Sequence, residues 1–164
     1  MPLLTDQEMQ NELSIDPDLG KFVIRYGSML AAGLAGWFLL AGLLGLQQIT
    51  ELRYLNLFIM IGVLWAAMKD WYGHSDSHKT NYFHGFLLGF GTSIVAALLF
   101  SIFMYLFFTL FAPGLAQQIL AEIPLRYNLN VWMISGIVLM EGVFSGFCVS
   151  FIMMQYFKNV GVNA

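Results

Sequence analysis

Apolar residues run through this chain in four long blocks separated by short polar stretches. The first covers residues 22–48, and its centre, from Met29 to Leu46, carries no charge. The second, 52–68, is shorter and begins beside Arg53, whose aliphatic stem lets its charge snorkel to headgroups. The third, 83–111, is longer than an upright span needs and implies tilt or protrusion. The fourth is 131–157. Blocks of this kind are the signature of membrane spans rather than of a soluble core. Helices satisfy their backbone groups internally, as lipid demands. The pattern predicts an all-α fold: an integral membrane bundle of four transmembrane helices with short amphipathic surface helices.

The polar stretches set the organisation. Residues 1–20 form an acidic segment, 21–158 the bundle and 159–164 a tail. Thr5-Asp6-Gln7-Glu8 fits a capping box, with Met9 and Leu13 on one face of a short helix and a turn at Asp16-Pro17-Asp18. That helix could dock on a partner or lie on the membrane surface. A few residues around Ile49 to Glu51 join spans one and two into a tight antiparallel hairpin. Residues 69–82 read as a polar loop, and Leu115 to Ile123, between Pro113-Gly114 and Pro124, as a surface helix.

Composition sharpens the picture in three places. The chain is 59% hydrophobic and 10% charged, against roughly 25% charged for soluble domains. Five of its ten acids precede residue 19, so the net charge of −3 reports the N-terminal segment. That acidic start does not fit a signal peptide. Basic residues distribute unevenly: Lys21, Arg25, Lys69, Lys79 and Lys158 fall on one side of the predicted topology, Arg53 and Arg126 on the other. The bias predicts cytoplasmic termini. No basic patch suggests nucleic acid, and the lone Cys148 has no disulfide partner.

Small residues recur at helix-packing spacing: Gly27 and Ala31, then Ala32 and Gly36, in the first block; Gly85, Gly89, Ser93 and Ala97 in the third; Gly142, Gly146 and Ser150 in the fourth. Lipid supplies no hydrophobic drive between helices, so close backbone approach through small side chains takes its place. The three stripes are expected to face one another, with bulky Phe and Leu turned to lipid. The same stripes could serve an interface with another protein.

Candidate chemistry is sparse. Glu141 stands alone within the fourth block, roughly 15 Å along the span at 1.5 Å per residue. A carboxylate there costs on the order of 3 kcal/mol. Thr92 and Ser93 reach a similar depth, and Ser145 follows one turn on. Glu141 could be a neutral carboxyl hydrogen-bonded inside the bundle, a proton-binding group of a carrier, or a polar contact to a subunit or headgroup. His74, Asp76, His78 and His84 have metal-ligand chemistry, but their Gly- and Ser-containing surroundings favour an ordinary solvated loop. No nucleophile elbow, phosphate loop or zincin motif occurs. The expectation is no metal, no cofactor and no catalytic set.

Arg25-Tyr26-Gly27, Met68-Lys69-Asp70-Trp71-Tyr72 and the run from Asn81 to Phe90 together resemble a family of four-helix membrane proteins of unknown function widespread in Bacteroidota, of the domain of unknown function 4199 type. The likeness runs from about Ile24 to Phe157. It implies a bacterial inner-membrane location and supplies no activity. The reading is a small non-enzymatic subunit that packs against, stabilises or positions a larger membrane complex, its partners being lipids and other integral-membrane subunits or itself. The alternative is a small carrier or lipid-handling protein whose dimer forms a polar path lined by Glu141, Ser145, Thr92 and Ser93. An enzyme acting on lipid is the least supported class.

Overall fold

The computed structural model describes residues 17–45, 52–74, 82–111, 113–114 and 130–161. The expected surface helices around Thr5–Leu13 and Leu115–Ile123, and the 75–81 part of the polar loop, lie outside those residues. Four helices carry the described fold: α1 Pro17–Leu43, α2 Leu52–His74, α3 Tyr82–Leu110 and α4 Val131–Gly161. Three contain stretches long and apolar enough to cross a membrane: Asp18–Leu43, Phe83–Leu110 and Val131–Phe157. α2 is not among them. Its apolar middle is bracketed by Arg53 and by Lys69-Asp70.

Several boundaries differ from the sequence expectation, each for a local reason. Pro17 opens α1 instead of sitting in a turn; proline suits the first helical turn, where its missing N–H is not needed. Asp18 follows at the positive end of the helix dipole and receives a hydrogen bond from Lys21 at 2.9 Å. The acidic segment therefore ends earlier than residue 20, and Leu19 is buried in the core. α1 stops at Leu43, short of residue 48, and Gly45 takes a left-handed φ of 68° just beyond it. The first part of the expected 69–82 loop is helical: α2 runs on through His74 because Trp71 is buried and Tyr72 stacks on Phe157. Asn130 caps α4, its side-chain oxygen accepting from the Val131 N–H at 2.8 Å. α4 then continues to Gly161, past the start of the expected tail.

Contacts fix the directions. The Tyr26 hydroxyl donates to Asp70 Oδ2 at 2.8 Å, and Gly33 lies against Ile59, so α1 and α2 are antiparallel. Gly27 faces Val95, and Phe38 meets Phe103, Phe107 and Phe108, so α1 and α3 are parallel. α3 and α4 are antiparallel. The start of α1, end of α2, start of α3 and end of α4 thus gather at one end of the bundle.

The core divides in two. At the gathered end, Leu19, Leu64, Met68, Trp71, Leu88 and Met154 pack together from all four helices. At the opposite end, Phe100, Met104, Phe108 and Ile134 form a second cluster with Leu34 and Phe38, and no described residue of α2 belongs to it. The first half of α2 instead exposes Tyr54, Leu55, Leu57 and Phe58. Bulky residues therefore do not all turn outward: aromatic side chains fill the second cluster.

Candidate functional site

α3 and α4 meet along a seam of small residues in fixed antiparallel register. A side-chain carbon added at Gly142 would lie 2.9 Å from Ala97 Cβ; one at Gly146 would collide with the Ser93 side chain. At Gly89 it would meet Ser150 Oγ at 2.8 Å and Met68 Cε at 2.7 Å, and at Gly85 the Met154 sulfur at 2.5 Å. Each step of four residues down α3 is matched by four up α4, which keeps one face of each helix on the contact line. Ser93 and Thr92 are buried at this depth. Ser93 Oγ donates to the Gly89 carbonyl at 3.0 Å within its own helix, and Ser101 Oγ donates across the seam to the Ser135 carbonyl at 2.7 Å.

The α1 stripe does not join this seam as a third row. Gly27 is held against the larger Val95 and the Thr92 carbonyl. Ala32 and Gly36 are exposed, with nothing within 4 Å of the position a Gly36 side chain would take. Gly27 and Gly36 share a sequence pattern, but only the first faces α3.

Glu141 is exposed, on the outward face of α4. Its neighbours along that face are Ile137, Met140 and Phe144, which are 50%, 70% and 71% exposed. Of the three alternatives for Glu141, this position does not fit a carboxyl enclosed by the bundle. Residues five apart on a helix sit about 140° round from one another, so the burial of Gly146 in the seam turns Glu141 away from it. Thr92 and Ser93 are buried, Ser93 within the seam, and Ser145, one turn from Glu141, is half-buried. One copy of the chain therefore does not bring these four groups onto a common path.

Of the histidines, His84 is half-buried at the start of α3, His74 ends α2, and His78 lies outside the described residues. No group of three or more His, Cys, Asp or Glu side chains gathers among the described residues. The spacing argument missed the Tyr26–Asp70 hydrogen bond, 44 residues apart in sequence. Its signal was a tyrosine just inside span one and an acid just past span two of a tight hairpin.

Compared with known proteins, the chain matches no family model, no curated protein and no solved structure.

Proposed function

We propose that this chain is a small non-enzymatic integral-membrane subunit that packs its outward α4 face against another membrane protein. The observation that carries the reading is the position of Glu141. An acid at mid-span on the outward face, among Ile137, Met140 and Phe144, marks that face for a polar contact, because acids within spans are rare and functional. A partner helix that presents a hydrogen-bond donor or cation at the same depth would add to the contacts of Glu141 and fix register.

The reading includes α2 as a fourth span. α1 and α3 are parallel, so the chain must return across the bilayer between them, and the 23 residues of α2 cover about 35 Å at 1.5 Å each. The surplus of basic residues at the gathered end supports cytoplasmic termini. The resemblance to the Bacteroidota four-helix family supports an inner-membrane location.

The test is photocrosslinking in intact membranes from Phe144, followed by mild-detergent purification. A stoichiometric protein adduct, lost in Glu141→Leu while the bundle stays folded, is the expected result; adducts to lipid alone would sink the reading. The carrier reading requires the buried Thr92 and Ser93 to become accessible in a dimer. Proton or solute movement by purified protein in liposomes, abolished by Glu141→Gln, would favour it instead.

A further inference from the structure

At the gathered end, on the side of the α1–α2 hairpin turned away from α3, lies an open depression of about 350 Å³ lined by Tyr26, Ala66, Lys69, Asp70 and Gly73. Gly73 leaves its rim low, with nothing within 4 Å of where a side chain would begin. The Tyr26 hydroxyl bonds Asp70 at 2.8 Å and orients the carboxylate in the floor. Lys69 is exposed at the edge.

Arg25 and Lys69 each precede one member of that bonded pair. On antiparallel helices, the same one-residue rotation from the contact line carries both toward the same side of the hairpin. Arg25 is itself exposed, its guanidinium 5.8 Å from the centre of the Tyr26 ring. Two cations therefore flank one held anion, beside a tyrosine, at an end of the bundle where the apolar stretches give way to charge. Tyrosine, lysine and arginine are the side chains that settle at a headgroup layer.

We propose that this depression binds an aminophosphate headgroup, with its phosphate between Lys69 and Arg25 and its primary ammonium on Asp70. The charge pattern selects the ligand class. Lys and Arg hold phosphate through charge-assisted hydrogen bonds. A carboxylate repels a second acidic group but accepts several hydrogen bonds from an –NH₃⁺; a quaternary ammonium has no N–H to give. Ethanolamine phosphate fits this pattern, whereas choline phosphate satisfies only its phosphate half. The proposal rests on the membrane-subunit reading for the depth of the site.

The test uses the full chain in nanodiscs of neutral carrier lipid, doped in turn with phosphatidylethanolamine, phosphatidylcholine and phosphatidylglycerol, with retained lipid counted by native mass spectrometry. Phosphatidylethanolamine is expected to exceed phosphatidylcholine about tenfold, the worth of one charge-assisted hydrogen-bond set. Asp70→Asn should erase that preference. Lys69→Gln with Arg25→Gln should lower retention of both lipids, and Lys69→Arg should restore it in the single-site background. Soluble phosphoethanolamine that displaces the lipid would identify the free headgroup as an equal ligand; no displacement identifies the membrane lipid. Equal retention of all three lipids, or a preference that survives Asp70→Asn, overturns the site. Failure of the membrane reading is distinct, because the chain would then not enter nanodiscs at all.

Discussion

What a glycine contributes to this bundle depends on what stands opposite it. Gly146 faces the Ser93 side chain, and Gly36 faces open space. Gly146→Ala is expected to lower the unfolding free energy by about 1–3 kcal/mol through overpacking. Gly36→Ala should leave it unchanged or raise it by up to about 1 kcal/mol, the gain in helix propensity. Unfolding in bicelles by steric trapping measures both; equal effects would contradict the described seam. Spacing alone singles out both glycines, since a four-residue repeat marks a face without saying which neighbour covers it. Glu141 shows the same limit. Its depth follows from counting along the block, but its direction follows only once Gly146 is known to be buried. Tyr26→Phe removes the hydrogen bond to Asp70, and a loss of about 1–2 kcal/mol is expected in the same assay.

At the scale of elements, helix existence was legible and helix ends were not. Uninterrupted apolar blocks announce α1, α3 and α4 because lipid-facing and partner-facing positions are both apolar. The polar residues after Met68 suggested a loop, yet Trp71 and Tyr72 hold α2 helical through tertiary contacts that no local propensity encodes. The α3–α4 register makes its own prediction. In a Cys148→Ser background, the pair Ala97→Cys and Gly142→Cys should crosslink on mild oxidation, because the two positions face each other directly. Ala97→Cys with Ile137→Cys should not, because Ile137 points outward. A gel shift of the reduced against the oxidised protein reads the result.

For the whole molecule, the parallel course of α1 and α3 ties the topology together. If the helices that can cross a bilayer do so, the start of α1 and the end of α4 share one face, and the residues just past α1 lie on the other. Lys21→Cys and Gly45→Cys, each in the Cys148→Ser background, should therefore react with an impermeant maleimide from opposite sides of the membrane. In intact spheroplasts Gly45→Cys is expected to label and Lys21→Cys to label only after lysis; labelling of both from one side would contradict the arrangement. This is the scale at which the sequence is most informative about class and least informative about purpose, because greasy blocks specify a bundle and carry no sign of what it packs against.

Taken alone, the repeat that makes the seam is degenerate. Slide α4 along α3 by a single turn, about 5.4 Å, and Ser93 comes opposite Gly142, Gly89 opposite Gly146, and Gly85 opposite Ser150. At that setting Val138 would stand opposite Ala97, where a single carbon added to Gly142 already lies 2.9 Å from Ala97 Cβ. The Ser101 hydroxyl on the Ser135 carbonyl, the Met154 thioether lodged over Gly85 and the rings of Phe86 and Phe90 on Phe147 and of Tyr105 on Trp132 also tell one notch from the next. Such a pair of rods is keyed: the pitch of the small residues would admit a neighbouring notch, and the side chains around them close it.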